Sequence, residues 1–174
     1  DTGFIHEYDL PLGNPFDIVV ETAGPPASVW YTLPDVNAIG HLVVTDTTDY
    51  HADTYFVPTA NSQPYALVYD GDSTIWFTEN VGNKIGRLNI TNGDITEYTV
   101  PTANSAPTGI DLSPGGTLWF LERDGNKLTR FNTVTTTFQE FPYEAAGGQL
   151  EDIAVLNENS IWLTVPGLNR SSDY

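Results

Sequence analysis

Glu79 and Glu122 each stand three residues after a tryptophan, Trp76 and Trp119, and lie 43 residues apart. Carboxylates repeated at one register of adjacent units would face the same end of a shared channel, where their oxygens suit a hard divalent cation, Mg2+ or Ca2+. The competing reading is structural: each carboxylate caps its strand and pairs with a nearby base, Glu122 with Arg123 or Lys127. The three histidines, the side chains that most readily exchange a proton near neutral pH, are scattered. His41 occupies the slot that Arg87 and Arg130 fill elsewhere and reads as a surface or inter-strand residue. His51 lies near Asp49 and Asp53 in a loose divalent-ion pattern, and His6 falls near the N-terminus. Asn89 and Asn169 open two glycosylation sequons, Asn89-Ile90-Thr91 and Asn169-Arg170-Ser171. With no cysteine, thiolate metal sites and disulfides are excluded.

The elements that must position these residues come from an internal repeat. Trp30, Trp76, Trp119 and Trp162 are 46, 43 and 43 residues apart, and Val57-Pro58-Thr59-Ala60-Asn61-Ser62 recurs unchanged as Val100-Pro101-Thr102-Ala103-Asn104-Ser105. Within each copy a short apolar run, a Gly/Asp-rich turn, the Trp strand, a third strand such as Asn83 to Leu88 and a fourth such as Asp94 to Val100 follow in order. No helical periodicity is sustained, so the fold class is all-β. A four-stranded antiparallel meander with a period near 43 is the unit of a β-propeller blade. The blades are expected at about 9–56, 57–99, 100–140 and 141–174 of a single domain, each pinned in the core by its indole. Residues Ile5 to Tyr8 resemble a fourth strand, so 1–8 is expected to close a ring with the last blade. Two assemblies fit: a closed four-blade ring, or an arc of a larger ring whose other blades lie in a removed segment or in another chain, a protein partner or a second copy completing the ring.

Charge narrows the partners. Against 23 acids stand 6 bases, a net charge of −17, and no Lys or Arg precedes Lys84. Nucleic acid is excluded, because its binding rests on basic neutralisation of phosphates, and an anionic membrane surface is disfavoured likewise. No apolar run approaches the ~20 residues of a transmembrane helix. The acidic surface, and a chain without methionine at position 1, read as an exported protein whose signal segment has been removed, placed outside the cell or at its surface.

Ile75-Trp76-Phe77-Thr78-Glu79, Gly82-Asn83-Lys84-Ile85-Gly86-Arg87-Leu88 and Gly93-Asp94-Ile95-Thr96-Glu97-Tyr98 together resemble the blade consensus of the virginiamycin B lyase (streptogramin lyase) family; copy three keeps Leu118 to Glu122 and Gly125-Asn126-Lys127. The match is close over 54–142 and looser outside it. The resemblance implies a typically seven-bladed propeller and a magnesium-dependent enzyme that opens a cyclic depsipeptide by elimination. It further implies a catalytic pair: a His just after the Pro that precedes an inner strand, and a Glu three residues after the Trp. At the first position this chain has Phe16, Tyr65, Thr108 and Glu151, none of them His; at the second it has Glu79 and Glu122, with Leu33 and Val165 in the outer copies. Tyr65, Thr108 and Glu151 are accordingly expected at the channel entrance as binding residues. The expected function is a non-catalytic binding or scaffold module, the alternative being a lyase whose catalytic His lies outside these residues.

Overall fold

The computed structural model describes residues 6–21, 26–46, 49–143 and 149–167. Among them lie fourteen strands in four antiparallel sheets and no helix. Blade one pairs β1 (Ile18–Glu21), β2 (Ala27–Leu33), β3 (Ala38–Val44) and β4 (Tyr50–Phe56) in sequence order. Blade two repeats this with β5 (Pro64–Tyr69), β6 (Thr74–Glu79), β7 (Lys84–Asn89) and β8 (Ile95–Thr99). Blade three follows with β9 (Pro107–Leu112), β10 (Leu118–Glu122), β11 (Lys127–Asn132) and β12 (Thr137–Pro142). Of blade four, β13 (Ile153–Asn157) and β14 (Ser160–Leu163) are described. The first strands β1, β5, β9 and β13 lie successively beside one another, which is the inner wall of a propeller.

The indoles show which way the blades stack. Trp30 joins Leu67, Ile75 and Phe77 of blade two; Trp76 joins Ile110, Leu118 and Phe120 of blade three; Trp119 joins Ile153 and Val155 of blade four. Each therefore crosses to the following sheet, and these three are 1 %, 4 % and 5 % exposed. Trp162 departs from the expectation that all four are core: it is 70 % exposed, because no described element covers its face of blade four. Ile18 and Val20 on β1 are exposed as well, so the described blades form an open arc. The described part of the expected closing segment, 6–8, forms no strand; Tyr8 instead packs edge-on to Tyr50 at 5.0 Å and, with Leu10, against Tyr31 and Leu33 of blade one.

The repeated hexapeptide is the connector between blades, and its composition follows from the bonds it makes. Asn37 and Asn83, each in the left-handed region (φ 59° and 57°), cap the turn between second and third strands. The Oδ1 of Asn37 accepts from Ser62 N and Oγ at 2.8 and 2.9 Å, and its Nδ2 donates to the carbonyls of Val57 and Thr59. Asn83 does the same for Ser105, Val100 and Thr102. The threonine grips the blade ahead: Thr59 N and Oγ1 donate to Glu97 at 2.8 and 2.7 Å, and Thr102 N and Oγ1 donate to Glu140. Lys84 and Lys127 complete the cluster at 2.6 Å from Glu97 and Glu140.

Candidate functional site

At the entrance of the inner strands, the aligned first positions of three blades converge. Phe16, Asp17, Tyr65, Glu151 and Asp152 line a cleft of about 210 Å3 whose floor includes Ala66 and Gly109. Phe16, 58 % exposed, and Tyr65 present an aromatic wall with ring centroids 4.5 Å apart and tilted by 42°. The Tyr65 hydroxyl donates to Glu151 Oε1, reaching from blade two across blade three to blade four. It can do so because the crossing point is Gly109: a Cβ there would lie 2.7 Å from Asp152 Cα and 3.0 Å from the Glu151 carbonyl. Gly109 N donates to that carbonyl at 2.9 Å, fixing β9 against the approach to β13.

Backbone anchors hold the wall in place. Thr32 Oγ1 donates to the Tyr65 carbonyl at 2.9 Å and accepts from Asp17 N, while Asp17 Oδ2 accepts from Leu67 N at 3.0 Å. Burial raises the Asp17 carboxyl above its ordinary range, against the pull of the Leu67 and Ile18 N–H groups. Burial first, then the hydrogen bond to Glu151, pushes the Tyr65 phenol up to about 12, so it stays protonated and serves as a donor. Arg123 is the one base at the rim among the described residues, 4.0 Å from Glu151 Oε2 and 3.5 Å from Asp124. A ligand with an aromatic or branched apolar group and hydrogen-bond donors suits this lining of two rings and three carboxylates.

Of the expected entrance residues, the structure brings Tyr65 and Glu151 together. Thr108 is fully buried and its hydroxyl donates to the Leu150 carbonyl at 3.1 Å, so it holds blade four rather than lining the cleft. Asp17 and Asp152 escaped the sequence reading, which placed Arg123 beside Glu122 rather than beside Glu151. The signal for the first two was present, an acid immediately after the entrance position in copies one and four; Arg123 follows Glu122 in sequence and nothing marks its side.

Glu79 and Glu122 lie elsewhere, each buried beneath the turn of its own hairpin. Both Glu79 oxygens lack a hydrogen-bond donor, as does Glu122 Oε2; Glu122 Oε1 accepts from the Thr129 hydroxyl. Gly82 and Gly125 make room, since a Cβ at either would sit 2.8 Å from the carboxylate. Burial, with the charge of Glu97, raises Glu79 to about 7, and burial raises Glu122 as well. The pairing expected for Glu122 is corrected: Lys127 bonds Glu140, and Arg123 turns to Asp124 and Glu151. No group of three or more His, Asp or Glu side chains placed to hold a metal ion occurs among the described residues. His41 stacks on Trp30 at 3.8 Å with planes 4° apart, as an inter-strand residue; burial lowers its pKa despite Glu21 at 3.5 Å. His51 meets Asp53 at 3.0 Å on an exposed strand. Asn89 ends β7 with its Oδ1 bonded to Thr91 N, and Asn169 lies outside the described residues.

The model of the virginiamycin B lyase family matches residues 1–173. The chain belongs to that family. It is 33 % identical over 84 residues to the virginiamycin B lyase of Nocardia farcinica, covering 48 % of this chain and 26 % of that protein. Its fold is similar to a catalytically inactive virginiamycin B lyase from Staphylococcus aureus with quinupristin, at TM-score 0.74 and 32 % identity over 86 % of this chain and 48 % of that one. A streptogramin B lyase structure matches at TM-score 0.78 and 30 % identity, over 90 % of this chain and 50 % of that one. The chain thus spans about half the length of these virginiamycin B lyase structures, in agreement with an arc of a larger propeller.

Proposed function

We propose that these blades act as a ligand-binding module, with the Phe16–Tyr65–Glu151 cleft receiving a compact molecule that carries an apolar ring and amide donors. The observation that carries this reading is the Tyr65–Glu151 bond over Gly109, which joins blades two and four into one rigid recognition surface. Among the described residues no imidazole lines the cleft: His41 is committed to Trp30 and His51 to Asp53. The phenol of Tyr65 is held protonated and donating, so it does not serve as a base near neutral pH. An acidic surface with 23 acids against 6 bases suits work outside the cell.

Family membership favours a second reading, a lyase in which other blades supply the proton-transfer groups and any Mg2+, and this cleft orients the substrate. Quinupristin, named with one relative of similar fold, is the ligand to try first. Titration followed by intrinsic fluorescence, with ring opening followed by mass spectrometry, separates the readings. Binding by these blades supports the cleft under both readings, and binding without ring opening when further blades complete the propeller supports the module. Ring opening supports the lyase, and no binding by quinupristin or its linear product overturns the assignment of this cleft.

A further inference from the structure

Three inter-blade grooves repeat one arrangement on the side of the Trp strand away from the entrance cleft, and two of them contain a carboxylate of the chain itself. Between blades one and two, Glu21 Oε2 accepts from Ser28 Oγ at 2.7 Å and Trp30 Nε1 at 3.1 Å, with His41 Nε2 at 3.5 Å. Between blades three and four, Glu158 Oε1 accepts from Ser113 Oγ, and its carboxylate lies near Thr117, Trp119 and Arg130. The Ser113 bond first, with help from the charge of Arg130, lowers the Glu158 pKa. In both places a carboxylate lies beside a hydroxyl and a base from the third strand; it bonds the Trp30 indole N–H directly, whereas the Trp119 indole N–H is buried without a hydrogen-bond partner.

The groove between blades two and three has the same frame with a different outcome. Thr74, Trp76 and Arg87 stand where Ser28, Trp30 and His41 stand in blade one, and the Arg87 guanidinium lies 5.8 Å from the Trp76 ring centroid. Both positions that supply the carboxylate elsewhere are altered. The counterpart of Glu21 is Asp70, one methylene shorter, whose Oδ1 is taken by the N–H groups of Asp72, Ser73 and Thr74. The counterpart of Glu158, 43 residues earlier, is Gly115. Among the described residues no acid forms an ion pair with Arg87, and a groove of about 500 Å3 remains, lined by Asp70, Thr74, Trp76, Arg87 and Ser113.

We propose that this groove is a binding site for a carboxylate ligand, with Arg87 as its charge partner and Thr74 as its hydroxyl donor, in the place that Glu21 and Glu158 occupy in the flanking grooves. A cation stacked on an indole inside a concave wall is less solvated than on an open surface, which strengthens its attraction for an anion. The acidic surface around it works against binding of multiply charged anions and favours a single carboxylate on a short apolar stem.

Propionate reproduces a glutamate side chain beyond Cα and is the probe. In a titration followed by the indole N–H resonances, propionate is expected to shift Trp76 saturably, and the neutral isostere propionamide is not. Arg87→Gln should weaken the response at least tenfold while the other indole resonances keep their positions. Glu158→Ala provides a separate arm, because removing the internal carboxylate should make Trp119 a second responder. A static Trp76 resonance, an unaltered response in Arg87→Gln, or a silent Trp119 in Glu158→Ala would each overturn the proposal. Comparing propionate with a capped Glu-containing pentapeptide tells a free organic acid from the acidic side chain of a protein; tighter binding of either supports the site and names its source.

Discussion

Asn83 Oδ1 accepts from both the backbone N–H and the hydroxyl of Ser105, 22 residues further along, at 2.7 and 2.9 Å. With the two bonds from its Nδ2, one carboxamide organises the whole connector between blades two and three. Asn83→Gly keeps access to the positive φ and removes only these bonds, so a loss of about 2–3 kcal/mol is expected in urea unfolding. Asn83→Ala should lose more, the difference being the strain of a left-handed alanine.

The buried carboxyl of Glu79 gives stability a pH dependence of definite sign. Its folded pKa, about 7, lies above the ordinary 4.5, so its contribution is fully present below 4.5 and is lost as pH rises through 7. Glu97 and Glu140 are shifted the other way, and their contributions are lost as pH falls toward and below 4.5. Unfolding measured at pH 5 and pH 8 should show a decline of up to about 3 kcal/mol attributable to Glu79. Glu79→Gln should flatten it, leaving the smaller share of Glu122. An unchanged slope in Glu79→Gln would show the carboxyl to be ordinary.

Trp76 and Trp162 hold equivalent positions with opposite surroundings. Trp76→Ala, opening a cavity between two sheets, should cost about 3–5 kcal/mol. Trp162→Ala in the same chain should cost under about 1 kcal/mol. Thermal unfolding of both variants decides, and equal losses would mean that something covers Trp162 in solution.

For the cleft, Tyr65→Ala removes half of the aromatic wall and should weaken quinupristin binding by roughly tenfold. Tyr65→Phe preserves the wall and loses the bond to Glu151, so a smaller effect is expected. Calorimetry of the two variants separates shape from hydrogen bonding.

The blades were legible in the sequence because their determinants are local: a 43-residue period, an indole per copy, turn residues at fixed offsets. The hexapeptide was legible as an exact recurrence, although not that Asn37 and Asn83 grip it from behind while Glu97 and Glu140 hold it from ahead. The site was only half legible. Tyr65 and Glu151 were placed by register, but their contact depends on Gly109 letting two backbones approach, a property of three-dimensional crossing that no spacing encodes. Glu79 and Glu122 were legible as a recurrence at one register, but their burial under each hairpin, against Gly82 and Gly125, was not. Trp162 was assigned to the core by analogy with its siblings, whereas burial depends on a neighbour that sequence position alone does not supply.

The connector threonines bind the blade ahead and the connector serines bind the blade behind, so each junction belongs to two sheets at once. Opening one sheet must release bonds of the next, and the smallest cooperative unit is therefore a pair of blades. Amide exchange should accordingly report protection that rises inward from both ends of the arc, greatest where blades two and three share Trp76, and should show no blade that melts alone.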